Sequence, residues 1–294
     1  MNEPIIEIKN LVREFGNKRA LDNVSMTIRP GTVMGLVGEN GAGKTTLIKH
    51  VLGLLKAQQG TVSVFGMDPV TNPEGVLSRI GYLSEEGDMP TWMKVHELMR
   101  YSAAFYPTWD DTYAMKLLDE FKLDPGARLN KMSKGQRSRA GLLVAMAYRP
   151  ELLVLDEPSS GLDPIVRKDI LGAIIRTIAD DGRTVLFSSH LLAEVERVAD
   201  QISIVRNGRI LISDNLDTVK ESHMRATLLF TEPLPSHPDI PGSLTWSGGG
   251  KEWQLTFCGE PKNLEDGAKH LGAKIIERAG LSLEEIFVAQ VGAA

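Results

Sequence analysis

A single cysteine, Cys258, occurs in the 294 residues. This excludes an internal disulfide and a cysteine-built zinc site, and it fits a small apolar strand residue in a reducing cytosol. Hydrophobic runs are short: the longest, Gly141 to Tyr148, falls far below the roughly 20 residues of a membrane helix. The N-terminus opens with polar Asn2 and Glu3 and carries no basic-then-apolar leader. Any membrane role is therefore expected to come through another chain. Neither sign of charge dominates, and a net charge of −5 proposes no nucleic acid partner. Low-complexity tracts are missing as well. What is present, 42% hydrophobic and 24% charged residues, is the composition of a globular protein with room for one large core or two smaller ones.

The strongest local signal is Gly38-Glu39-Asn40-Gly41-Ala42-Gly43-Lys44-Thr45-Thr46, a full match to G-x-x-x-x-G-K-S/T. An apolar run, Val33 to Val37, precedes it and a helix-compatible stretch follows. A strand that ends in a glycine loop and opens a helix aims successive backbone N–H groups at one point, which suits a polyphosphate. Lys44 is expected to reach the β- and γ-phosphates, and the Thr45 hydroxyl to take a place on Mg²⁺.

Apolar runs predict strands at Ile5 to Ile8, Val24 to Ile28, Val33 to Val37, Thr61 to Phe65 and Ile80 to Leu83. From Lys94 to about Lys122 the period becomes helical. Helix, strand and helix then alternate: Ser133 to Tyr148, Leu152 to Leu155, Asp163 to about Ala179, Thr184 to Ser188 and Leu191 to Asp200. A hairpin through Asn207-Gly208 closes the series. This alternation predicts an α/β fold, a mostly parallel sheet covered by helices. After about Leu216 the character shifts, with four prolines and a Ser-Gly-Gly-Gly turn between 232 and 250. Short strands at Thr227 to Phe230, Leu244 to Trp246 and Trp253 to Phe257 are expected there. With helices at Asn263 to Leu271 and Ser282 to Val288, they make a small α+β appendage.

Leu152 to Pro158 places four apolar residues before Asp156-Glu157, two acids at a strand's carboxyl end, where open α/β sheets bind ligands. A P-loop ATPase needs a carboxylate for Mg²⁺, a place Asp156 can fill. It also needs a group to polarise the attacking water, and Glu157 can supply it.

Together with Met132-Ser133-Lys134-Gly135-Gln136, Ser160-Gly161-Leu162-Asp163 and Ser189-His190, these motifs stand in the order and spacing of an ABC transporter ATPase subunit, which residues 4 to 220 resemble. The closing Leu281-Ser282-Leu283-Glu284-Glu285-Ile286-Phe287 is similar to the tail of the bacterial drug- and antibiotic-export type. The resemblance implies a P-loop NTPase domain over residues 1–215, with an antiparallel β subdomain and an α-helical subdomain at about 88–150. Residues 216–294 would form an accessory domain. It further implies ATP and Mg²⁺, with Phe15 stacking on adenine. Glu157 and Lys44 would act in hydrolysis, and His190 would contact both γ-phosphate and the catalytic acid. Ser133, Gly135 and Gln136 belong to the signature loop, which meets the nucleotide of the other subunit, and Asp163 to a loop that crosses the dimer while also serving as an N-cap. The implied partners are integral membrane permease subunits and a second ATPase chain, identical or paralogous, on the inner face of the cell membrane.

Two positions depart from the family pattern. Lys134 replaces a glycine in the signature loop. Ser84-Glu85-Glu86 stands where a glutamine is usual, and Glu85 is the best match for a group reaching Mg²⁺. Ionised, it cannot donate a hydrogen bond to the attacking water. Two other classes stay open at this level: a soluble ATPase without a membrane partner, and a regulatory module that binds ATP without turnover. Cargo is not encoded here.

Overall fold

The computed structural model describes residues 3–85, 89–179 and 182–293. The chain divides into two compact units, one ending at Ser213 and the other starting at Asp214.

The first unit begins with strands β1 (Ile6–Phe15) and β2 (Lys18–Ile28), followed by β3 (Val33–Val37), helix α1 (Lys44–Val51) and β4 (Gln59–Val64). Helix α2 (Pro73–Leu77), β5 (Ile80–Leu83), α3 (Val95–Ala103), α4 (Asp111–Glu120) and α5 (Lys134–Ala147) come next. It ends with β6 (Leu152–Leu155), α6 (Pro164–Ala179), β7 (Thr184–Ser189), α7 (Leu192–Val198), β8 (Gln201–Arg206) and β9 (Arg209–Asn215), whose last two residues lie past the division.

Strands β2-β1-β4 make an antiparallel sheet, and β5-β6-β7-β3-β8-β9 a second sheet whose first five members run parallel. Strands β3, β6 and β7 are buried on both faces, as helices on either side require. Asn207 and Gly208 both have positive φ, so the β8–β9 connection is the tight turn that their residue types favour. The predicted alternation of elements and the Val33, Ile80 and Leu152 strands match the structure.

One hydrophobic core lies where α1 meets both sheets. Leu47, Ile48 and Val51 of α1 pack with Ile6, Leu11 and Leu21 of the antiparallel sheet and Met34, Leu36 and Val154 of the parallel one. This holds the glycine loop, at the start of α1, rigidly against two sheets. The N-terminal strands are longer than the short runs at Ile5 to Ile8 and Val24 to Ile28 predict. Register shifts near Leu11 and Arg13, with Asn10 at positive φ, break the two-residue alternation on which that reading depends.

The second unit holds α8 (Leu216–Glu221), β10 (His223–Leu234), β11 (Ser243–Cys258), α9 (Pro261–His270), β12 (Ala273–Gly280) and α10 (Leu283–Ala293). Its sheet has the order β11-β10-β12, with Leu228, Phe230, Leu255, Phe257 and Leu264 in its core. The two strands expected on either side of the glycine turn form one extended element, β11. Within it Gly248 has φ +110, and a Cβ there would sit 2.5 Å from the Glu252 carbonyl oxygen, so the chain does bend sharply. Strand β12 and the short α8 have no counterpart in the sequence reading. β12 is largely exposed and offers no apolar alternation to read.

Candidate active site

Each wall of the site comes from a different element. Gly43, at φ +117, is the residue before α1, and a Cβ there would meet the Ala20 carbonyl oxygen at 2.7 Å. Only glycine fits. No side chain caps the N-terminus of α1, so the first-turn N–H groups of Lys44, Thr45 and Thr46 have no intrahelical acceptor. The loop itself is pinned by Ala42 N–H donating to the Glu39 carbonyl at 3.1 Å and Gly208 N–H donating to the Ala42 carbonyl at 2.9 Å. This leaves a concave group of donors at the positive end of a helix dipole, the physical requirement for an anion.

A cavity of about 380 Å³ opens over that loop. It is lined by Phe15, Lys18, Ala20, Asn40, Gly41, Gly43, Lys44, Thr45, Thr46, Glu85 and Glu157. Phe15 stands at the end of β1, 45% exposed, and lines the cavity. Lys18 and Ala20 were not singled out from the sequence. They follow Phe15 across the turn into β2, and no motif marks them.

Glu157 lines the cavity, and behind it stand Asp156 and a serine from the neighbouring strand. Asp156 and Glu157 follow β6 and are buried. Ser188 of β7 donates its hydroxyl to Asp156 Oδ1 at 2.6 Å and accepts the Glu157 N–H at 2.8 Å. Glu157 has φ +47, a strained conformation for a non-glycine residue, and its carboxylate finds partners other than those of Asp156. His190 Nδ1 lies 2.7 Å from Glu157 Oε2. Lys44 Nζ is 2.9 Å from Glu157 Oε1, both side chains being 5% exposed. The ammonium aims its hydrogen bonds at the Gly38 carbonyl, 2.7 Å away, and the Glu39 carbonyl at 3.2 Å. The Lys44–Glu157 contact is an ion pair, and among the described residues Oε1 has no other partner.

No group of three or more His, Cys, Asp or Glu side chains able to hold a metal exists among the described residues. Thr45 and Glu85 line the cavity, and Asp156 is buried next to Glu157, which lines it too. That sparse, all-oxygen set fits a hard cation sharing its shell with phosphate oxygens and water, as Mg²⁺ does, and does not fit a metal caged by protein.

The signature residues lie outside this cavity's lining. Ser133 Oγ accepts the Gln136 N–H at 3.2 Å, and Gln136 Oε1 accepts the Ser133 N–H at 2.9 Å, a reciprocal cap on α5. Gly135 has a packing reason to be glycine, since a Cβ there would meet Val166 Cγ2 of α6 at 2.8 Å. Asp163 accepts the Ile165 and Val166 N–H groups and caps α6. Glu86 lies outside the described residues. No motif marks Ser188, whose contact with Asp156 depends on β6 and β7 lying side by side.

Residues 21–160 match the family described as ABC transporter. An uncharacterized ABC transporter ATP-binding protein of Bacillus subtilis, YdbJ, is 33% identical over 78% of this chain and 75% of its own length. The bacitracin transport ATP-binding protein BcrA of Bacillus licheniformis is 30% identical over 75% and 73%. A solved ATP binding subunit of an ABC transporter superposes with a TM-score of 0.68 at 29% identity, covering 74% of this chain and 92% of that one. With Glu157 in the glycine-loop cavity joined to His190 directly and to Asp156 through Ser188, the chain belongs to the ABC transporter family, as one of its ATP-binding and ATP-hydrolysing subunits.

Proposed function

We propose that this chain closes over Mg-ATP together with a second ATPase chain, identical or paralogous, and that closing and reopening drives separate membrane permease subunits on the cytoplasmic face of the cell membrane. The observation that carries the reading is Glu157 held between Lys44 and His190 on the floor of the glycine-loop cavity. In this arrangement Phe15 receives the base, the N–H groups of residues 41–46 receive the phosphates, and Lys44 reaches the β- and γ-phosphates. Bound Mg²⁺ supplies neutralisation of the charge that develops on the transferred phosphoryl oxygens. Thr45, Asp156 and Glu85 are the residues to hold it.

The contacts of Lys44 give the cavity a logic. A triphosphate competes for the ammonium far better than two carbonyl groups do. Drawing Lys44 toward phosphate separates it from Glu157 and leaves Oε1 free to take the attacking water, while His190 keeps the carboxylate oriented. Ser133, Gly135 and Gln136 at the α5 N-terminus, with Asp163, then face the phosphate of the partner chain. Loss of the γ-phosphate removes the attraction that holds the two chains closed.

For docking to a permease, a cavity of about 230 Å³ bounded by Leu83, Met89, Pro90, Leu98 and Tyr101 supports the helical region as the docking surface, with exposed Trp92 and Phe105 nearby in sequence. No helix among the described residues is long and apolar enough to cross a membrane. The likeness to BcrA, named for bacitracin transport, supports drug or antibiotic export.

The decisive experiment is Glu157→Gln. Turnover should fall roughly 10²–10⁴-fold, ATP should still bind, and a two-chain species should accumulate with Mg-ATP in gel filtration. Hydrolysis at the unaltered rate would remove Glu157 from the role of base.

A further inference from the structure

Beside the cavity, Arg13 and Gln58 form a brace behind Phe15. The Arg13 guanidinium carbon lies 4.6 Å from the Phe15 ring centroid, and Arg13 Nη1 donates to the Lys56 carbonyl at 3.2 Å. Between them in sequence, Glu14 is gripped in both directions by one amide. Its N–H donates to Gln58 Oε1 at 2.6 Å, and Gln58 Nε2 donates to its carbonyl at 3.3 Å. Residues 13–15 are therefore tied to the segment leading into β4. Arg13 Nε is buried without a hydrogen-bond partner among the described residues.

We infer that Arg13 is a positioning residue for nucleotide-base recognition, holding the Phe15 ring in the orientation that stacks on a purine. The inference rests on the placement of the base on Phe15 proposed above. Two effects act in the same direction. A cation over one ring face fixes a side chain that is otherwise half in solvent, so less freedom is lost when a base arrives. The same cation withdraws electron density from the ring and makes its other face a better platform for an electron-rich purine. Neither effect reaches the phosphates, and this separates the role from a general structural one.

The test uses the full chain with two probes: Mg-ATP, and inorganic tripolyphosphate with Mg²⁺, which keeps the charge and lacks the base. Binding is followed by calorimetry for the unaltered protein, Arg13→Met, Arg13→Lys and Phe15→Ala. Arg13→Met should weaken ATP binding roughly three- to tenfold, leave tripolyphosphate binding within twofold, and leave kcat at saturating ATP unchanged. Arg13→Lys, which keeps a cation and a donor, should recover most of the loss. An Arg13→Met protein that binds ATP as well as the unaltered chain, or loses both probes equally, overturns the inference. Phe15→Ala separates the two readings. If it weakens ATP alone while Arg13→Met does not, only the brace fails. If it leaves ATP binding unchanged, the stacking placement fails and the brace with it.

Discussion

At the scale of single residues, the site is governed by which charges are buried together. Lys44 and Glu157 are both almost fully enclosed, and removing one partner of such a pair commonly costs about 3–5 kcal/mol because the other is left uncompensated. Glu157→Gln softens that penalty, since Lys44 retains the Gly38 and Glu39 carbonyls. Glu85 is the more individual residue. It lines the cavity, and by resemblance it stands where a glutamine is usual; a carboxylate in that place would repel γ-phosphate while offering an oxygen to a cation. Glu85→Gln is expected to retain or raise turnover and to flatten its dependence on Mg²⁺ concentration, read from steady-state phosphate release. A several-fold lower rate at saturating Mg-ATP counts against this account. The glycine loop and the two acids were legible from the chain because backbone geometry and strand ends impose them locally. The pairing of Lys44 with Glu157, the strained φ of Glu157 and the bridging Ser188 were not, since each joins segments that meet only after folding.

At the scale of elements, α1 carries the phosphate end of the site and is held by apolar contacts on both sides. Truncating Leu47 to Ala should lower stability by about 2–5 kcal/mol in denaturant titration, with nucleotide affinity lost in parallel as the loop loosens. In the second unit, β10 begins at His223, buried with Nδ1 2.7 Å from the Val219 carbonyl and Nε2 2.8 Å from Gln290 Nε2. Burial pushes the imidazole's affinity for protons down, and the Val219 contact only partly opposes it. The folded state therefore binds fewer protons than the unfolded one below the ordinary value of 6.5. Stability from this group is complete above that pH and declines as pH falls from about 6.5 toward the lower folded value. Hydrogen exchange in β10 should quicken between pH 7 and pH 5.5 after correction for intrinsic rates, and His223→Gln should lessen that change. Sequence periodicity recovered the parallel strands well, for a strand buried on both faces is a plain apolar run. It did poorly on β12, most of whose side chains face solvent.

At the scale of the whole molecule, this chain's cavity is lined without Ser133, Gly135 or Gln136. If a second chain supplies those residues, two differently damaged chains should restore one working site between them. Lys44→Ala disables the glycine loop and spares α5. Ser133→Asp keeps an N-cap acceptor while turning a negative charge toward the partner's phosphate. Mixing these two inactive proteins should return a substantial fraction of ATP hydrolysis, and a mixture as silent as its components would show that each chain works alone.

Chain order by itself determined the glycine loop, the buried strands and the two acids after β6. These follow from φ, burial and strand direction, which neighbouring residues impose on one another. Tertiary structure alone decided that Lys44 would rest against Glu157, that Ser188 would bridge the Asp156 carboxylate and the Glu157 N–H, and that Arg13 would stand behind Phe15. Those contacts depend on which strands lie side by side, and sheet order is settled by packing across the core.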